Sequence, residues 1–458
     1  MEQQKSAITF CSGVGTVTGA NFLFEIASKR ILIDCGLEQG SELASERNRE
    51  TFAYDPSTID ILFITHAHTD HIGRIPKLVK DGFKGIIYST PATLDLAKVM
   101  LPDSLHLLGD DARRKGILPL YEQIDVDTTF NLWKTFPYYE RLDLGNGISV
   151  YAKDSGHILG SAMFEFSLEG SHKKVVFTGD LGNSPSLFLR DTDSIEGASY
   201  VVMESVYGDR NHELKEERKS KLADIIKDTI ARKRTLLIPV FSLERTQDIL
   251  FEINDLVERN VIGDIKVYVD SPLATKVTEV YKQYSKDFNE SARDLVAQGD
   301  DIFEFKLLRH TIERKDSEHI EHTENPKIIL AGSGMSVGGR ILKHEEQFLP
   351  DPSATILFVG YQSAGTLGRR ILDGDKKVKL QGNNVPVRCE VQSIMGYSSH
   401  KDSDRLVEFV ATGGSSLKKV FVAMGEPKSA LFLVQRIRDY IGVDALHPKQ
   451  GQRVELEM

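Results

Sequence analysis

The apolar run Ile59-Asp60-Ile61-Leu62-Phe63-Ile64 reads as a strand, ends at Thr65, and passes straight into His66-x-His68-x-Asp70-His71. Polar side chains at the end of a buried strand each need a partner, since an uncompensated buried polar group costs roughly 2–7 kcal/mol. Alternation along an extended backbone points His66 and His68 the same way, and the following turn brings Asp70 and His71 to a second point nearby. The pattern therefore demands a sheet that ends at a pocket holding two adjacent metal sites. Imidazole and carboxylate without thiolate suit zinc, with manganese as the rival, and incomplete protein coordination leaves room for water.

Isolated donors at other strand ends could complete such a pocket. His157 sits in DSGHILGSA, whose glycines allow close backbone approach. Asp180 ends the apolar strand KVVFTGD, where a carboxylate could bridge two cations, and Asp34 ends RILIDCG, where it can accept an N–H from a ligating imidazole.

Residues 7–36 carry short β-rich runs broken by glycine, the pattern of antiparallel strands and hairpins. Gly13-x-Gly15-x-x-x-Gly19 is not a dinucleotide loop, because it is followed by further strands and not by a helix. A strand GIIYST leads at Pro91 into the helical TLDLAKVML, residues 100–145 read as largely helical and polar, and strands return to about residue 204. From Thr235 the order becomes strand then helix, repeated: TLLIPVF before SLERTQDILFEINDLV, IKVYVD before SPLATKVTEVYKQY, then KIILAGSGM and ATILFVGYQSAGTLGRRIL. That alternation argues a parallel sheet flanked by helices. Near 376, KKVKLQGNNVPVRCEVQSI goes back to strand alternation. The segment HIEHTENP at 319–326 reads as a charged loop with His319 and His322 in solvent.

At 458 residues the chain is long enough for two or three domains, and 40% hydrophobic residues exclude disorder and a collagen-like fold. No run approaches the ~18 apolar residues of a membrane span, and MEQQKSAITF lacks the features of a leader, so a cytoplasmic protein without a membrane partner is expected. Cys11, Cys35 and Cys389 form neither a disulfide framework nor a thiolate metal site. The net charge of −10 weighs against nucleic acid only mildly, because a local cationic groove can still bind phosphate.

LIDCG, THAHTDHIGR, SGHILGSA and FTGDLG resemble the successive metal-site motifs of the metallo-β-lactamase fold. MESVYGDR with Glu204, IPVFSLERTQ, VYVDSPLA, AGSGMSVGGR, VGYQSAGTLGRRIL and GYSSHKD with His400 resemble the β-CASP nuclease branch, which includes RNA-processing exonucleases and cleavage-and-polyadenylation-factor-like nucleases. The resemblance implies an α/β fold: an αββα sandwich at 1–208 and 376–458, with a β-CASP domain inserted at 209–375.

It also implies roles. One metal would be held by His66, His68 and His157, the other by Asp70 and His71, with Asp180 bridging them. Asp70, His400 and Glu204 would be catalytic. A metal-bound hydroxide attacks phosphorus, His400 protonates the leaving alkoxide, and Glu204 orients His400. Met424, in FVAMGEPKSA, stands where RNA-cleaving members carry histidine and DNA-processing members valine. Two zinc ions are expected, the second weakly held or replaced by manganese, because a thioether is a poor zinc ligand.

Glycine-rich turns near arginine suit phosphate, so Ser333, Arg340, Thr366 and Arg369, with Arg245, are expected to track a nucleic-acid backbone. Tyr207 and Tyr361 are candidates to stack on bases. The expected activity is hydrolysis of RNA, preferably single-stranded, leaving 5′-phosphate and 3′-hydroxyl ends. The alternatives are hydrolysis of a small ester, lactone or thioester, or a catalytically weak scaffold. DNA as substrate, exonuclease or endonuclease mode, and a homodimer are left open.

Overall fold

The computed structural model describes residues 6–40, 42–213, 215–363 and 365–458. The chain divides into two compact units, one running up to Asn211 together with His400–Met458, the other His212–Ser399.

The first unit contains two mixed sheets. One has the strand order Arg453–Leu456, Ser6–Ser12, Asn21–Ile26, Lys29–Ile33, Ile61–Phe63, Ile86–Ser89, Trp133–Thr135. The other has the order Asp444–Leu446, Lys419–Val422, Tyr200–Met203, Lys174–Phe177, Ala162–Leu168, Ile148–Asp154, Arg141–Gly145. The antiparallel beginning and the later β/α alternation follow the sequence expectation, whereas the strands Trp133–Thr135 and Arg141–Gly145 fall in a stretch that reads as helical.

The two sheets share a core in which phenylalanines from both interlock. Phe63 meets Phe164 at a ring separation of 5.0 Å and Phe24 meets Phe166 at 5.4 Å. Each fully buried aromatic ring of this kind contributes about 2–3 kcal/mol by leaving water. The opposite face of the second sheet packs through Val176, Val201 and Val420 onto the helices Ser403–Ala411 and Pro427–Ile441. On the other side, the helix Pro91–Lys115 starts with Thr90 accepting from Thr93 N–H and a proline in its first turn, and stops at Gly116 in the left-handed region. No helix among the described residues is long and apolar enough to cross a membrane.

The second unit is a parallel sheet in the order Leu308–His310, Lys266–Asp270, Lys327–Ala331, Thr235–Pro239, Ala354–Phe358, Glu390–Ser393. Its central strands are buried along their whole length, as expected for a sheet covered by helices on both faces. The expected return to the first domain at 376 moves to 400. Glu390–Ser393 pairs in parallel with Ala354–Phe358, and the hairpin Lys377–Leu380 with Asn383–Pro386 buries Val378, Leu380 and Val385 in the second unit's core. A period of two identifies a strand but not the sheet it joins. The loop expected at 319–326 is also corrected in part, since His319 and Ile320 close the helix Arg314–Ile320, although His319 and His322 are exposed as expected.

Glu345, on the helix Ile341–Phe348, is fully buried, accepts a hydrogen bond from Ser336 Oγ, and has no partner for Oε2 among the described residues. Burial pushes its carboxyl up to about 8, so the folded chain keeps a proton that the unfolded chain releases near 4.5. Folding stability therefore falls as pH rises through that interval, by roughly 1.4 kcal/mol per pH unit. Glu345→Gln keeps the acceptor for Ser336 and removes the titration. Denaturant melts are expected to show the variant about 2–4 kcal/mol more stable than the parent at pH 8 and close to it at pH 5. Equal pH dependence in both proteins would contradict this.

Candidate metal centre

The site is built at strand ends of the first unit. Asp34 follows the strand Lys29–Ile33 with φ at +59°, which turns its carboxylate into the sheet end. It accepts from Thr65 N–H, Thr65 Oγ1–H and His71 Nδ1–H, each at 2.8 Å. That last bond commits Nδ1–H of His71 to Asp34 and turns Nε2, the nitrogen that a metal would take in place of a proton, towards Asp180. Gly36 is required nearby, because a Cβ there would lie 1.5 Å from the Asp70 carbonyl oxygen.

His66 and His68 follow the strand Ile61–Phe63, and Asp70 and His71 lie in the short helix Thr69–Ile72. The His66 and His157 Nε2 atoms lie 3.1 and 3.3 Å from His68 Nδ1, and each lies 3.5 Å from Asp180 Oδ2. Ligand atoms of His66, His68, His157 and Asp180 all fall within 4.8 Å of one another. From the same Asp180 oxygen, His71 Nε2 is 3.4 Å away, with Asp70 Oδ2 3.9 Å from that nitrogen. Asp180 thus stands between two donor groups.

The electrostatics match a cation site. Burial opposes charge on His71, yet the Asp180 and Asp34 carboxylates hold it well above the ordinary imidazole range. Burial and the neighbouring His71 push His66 well below that range. His71 Nε2 and Asp180 Oδ1 are buried with no hydrogen-bond partner among the described residues, and an orphaned nitrogen and oxygen beside converging imidazoles fit a metal ion.

His400 faces this group, with Nδ1 at 4.0 Å from Asp180 Oδ2 and its ring 4.6 Å from that of His157. Glu204, wholly buried after the strand Tyr200–Met203, takes His400 Nδ1–H at 3.0 and 3.2 Å. Backbone N–H groups of Leu181 and Val206 hold that carboxylate in place, at 2.7 and 3.3 Å. Burial opposes protonation of His400, but Glu204 outweighs it and raises the imidazole to about 9.

Family profiles match in three consecutive blocks: a metallo-β-lactamase superfamily domain at residues 23–206, a β-CASP domain at 246–371, and a Zn-dependent metallo-hydrolase RNA specificity domain at 384–448. A ribonuclease of Thermus thermophilus is 34% identical over 91% of this chain and 92% of its own length. The chain belongs to the β-CASP ribonuclease family. Other relatives are transcription termination factor FttA of Methanosarcina mazei, 31% identical over 94% of this chain and 68% of that protein, and an RNase J-like protein of Methanocaldococcus jannaschii, 30% identical over 93% and 94%. The same fold occurs in a protein of unknown function from Enterococcus faecalis, with a TM-score of 0.58 at 13% identity, covering 99% of this chain and 100% of that one.

Met424, where the motif resemblance places a histidine, has its side chain buried in the core between the two sheets, with its sulfur where a Cβ on Gly13 would come within 2.7 Å. It borders a small cavity of about 10 Å³ shared with Asp34, His71 and Glu204. Among the described residues, His71 and Asp70 make up the second donor group at the Asp180 oxygen, against His66, His68 and His157 in the first. Met424→His is expected to raise Mn²⁺ or Zn²⁺ affinity of the weaker site about tenfold, read by calorimetric titration of metal-stripped protein. An unchanged isotherm would show that position 424 does not reach the ion.

The residues expected to contact nucleic acid divide between the units. Tyr207 lies beside His400, with rings 6.2 Å apart, and Arg210 sits over Tyr207 at 5.4 Å. Arg245, Ser333, Arg340, Tyr361, Thr366 and Arg369 all follow the carboxyl ends of adjacent strands of the second unit's sheet, the edge at which open α/β sheets bind ligands. Tyr361 is 37% exposed and Arg369 pairs with Asp373 at 2.9 Å. Thr366 caps the helix Leu367–Leu372, Ser333 Oγ accepts from Val337 N–H, and Arg245 is buried against Asp248 and Ser399. The Arg340 guanidinium binds buried Asp270 at 2.7 Å and the carbonyls of Thr311 and Ile312, so it ties loops together within the unit. The same carboxylate also holds His344, Thr311 and Ser317. Sequence reasoning missed Thr65, which orients Asp34 and lies 3.0 Å from His66 Nδ1, and Ser161, whose Oγ accepts from His157 N–H. Their signal was a hydroxyl within the motif itself, at THAHTDH and GHILGS.

Proposed function

We propose that this metal-dependent β-CASP ribonuclease cleaves single-stranded RNA at the centre formed by His66, His68, His157, Asp180, Asp70 and His71, leaving 5′-phosphate and 3′-hydroxyl ends. The observation that carries the reading is the shared Asp180 oxygen, 3.4–3.5 Å from three imidazole nitrogens and beside a Glu204–His400 pair. Metal bound there supplies Lewis-acid charge for the phosphate and an activated water. The chain's own residues do the rest. Asp34 and Thr65 keep His71 in one tautomer, and Asp180 offers one charge to both donor groups. Glu204 holds His400 protonated at Nδ1, so that Nε2–H can be given to the departing 3′-oxygen as the P–O3′ bond breaks. Two zinc ions fit the two donor groups, with manganese favoured at the His71 side for want of a ligand from Met424. The cysteines Cys11, Cys35 and Cys389 are buried free thiols, which suits a cytoplasmic setting.

RNA labelled separately at its 5′ and 3′ ends tests the reading, with zinc or manganese added. Single-stranded DNA and a chromogenic lactone serve as comparison substrates. Cleavage of RNA with 5′-phosphate products is expected, and the two labels report direction. Faster turnover of the lactone than of RNA would reject the assignment.

A further inference from the structure

Apart from the metal centre, the first unit carries an open groove of about 510 Å³. Phe52, Pro56, Pro119 and Leu120 give it apolar walls, and Arg49 and Lys80 stand at it as cations. Asp81, the carboxylate among its described lining residues, is already paired with Lys77 at 2.5 Å. Arg49 donates to the Leu118 carbonyl at 2.7 Å and Lys80 lies 3.4 Å from that of Leu120, so both cations are held against the 117–120 turn. Ile117 and Leu118 on that turn are 43% and 83% exposed, Leu118 the most exposed large hydrophobic among the described residues. A bulky apolar surface beside two cations without a carboxylate partner among the described residues is unusual on a chain whose net charge is −10.

Two occupants could meet cations: nucleic acid and an acidic peptide. A base needs an open aromatic face to stack on. Phe52 offers none, because Tyr54 stacks on it at 5.4 Å and 25°, and Arg74 and Lys77 lie over its ring at 4.4 and 4.5 Å. Nucleic acid also gives Leu118 and Pro119 nothing aliphatic to bury. A peptide with a leucine or phenylalanine between acidic residues meets both demands. Arg49 and Lys80 supply the opposite charge for its carboxylates beside the apolar wall. We propose that the groove docks an acidic segment of a partner protein through a bulky apolar anchor.

The test uses the full chain and a random short-peptide library displayed on phage, counter-selected against the Arg49→Glu/Lys80→Glu variant. Enriched peptides are expected to place Asp or Glu on both sides of Leu, Ile or Phe. A synthetic copy should bind the parent chain about tenfold more tightly than the charge variant, and more tightly than Leu118→Ser. RNA cleavage by all three proteins should be equal. Thermal melts check that the charge variant folds, and Leu118→Ser alone decides if it does not. The proposal fails if no peptide is enriched over the counter-selection, if enriched peptides lack acidic residues, or if oligouridine displaces them and loses affinity with the same substitutions.

Discussion

Asp180→Asn is expected to lower kcat/KM for RNA on the order of 10³- to 10⁴-fold, and to strip bound metal at the same time. The substitution keeps the shape of the side chain and removes a charge that lies 3.4–3.5 Å from His66, His71 and His157. A loss of that size corresponds to about 4–5.5 kcal/mol of transition-state stabilisation. It exceeds what any single outer carboxylate supplies: Asp34→Asn, which disturbs only the support of His71, is expected to cost about 10- to 100-fold. Elemental analysis of both variants separates the two effects. A metal-replete, fully active Asp180→Asn protein would refute the shared-oxygen geometry.

The second large effect concerns His400. His400→Ala is expected to cost roughly 10²- to 10⁴-fold in kcat with metal content unchanged, because in the proposed mechanism the group protonates the leaving oxygen and does not hold the ions. The pH profile gives the sharper test. Glu204 raises His400 to about 9, so the proton to be donated is present at neutral pH and lost as pH rises through that value. A cation beside Asp180 pulls the limb below 9. Glu204→Gln removes the negative charge, so the imidazole falls towards its ordinary value and activity should decline at pH values where the parent is still active. The basic limb of kcat therefore moves to lower pH by one unit or more, while the acidic limb stays. A variant whose profile merely scales down would assign Glu204 a packing role instead.

Much of this chain was legible in its residues, and the boundary of legibility is physical. Strand ends, the histidine cluster and the alternation of strands with helices follow from period, capping and turn chemistry, all local properties. So the sequence alone determined the donor types, the two-part α/β organisation and, by motif resemblance, the family. Local pattern carries no record of what lies across space. Only the tertiary structure decided that Asp180 presents one oxygen to both donor groups, that Asp34 needs Thr65 as a second anchor, and that Met424 turns into the core between the sheets. The same holds for Glu390–Ser393, which joins the sheet of the second unit, and for Arg340, which pairs with Asp270. In each case the outcome depends on a partner far along the chain, and the stronger buried interaction wins over the one that spacing suggests.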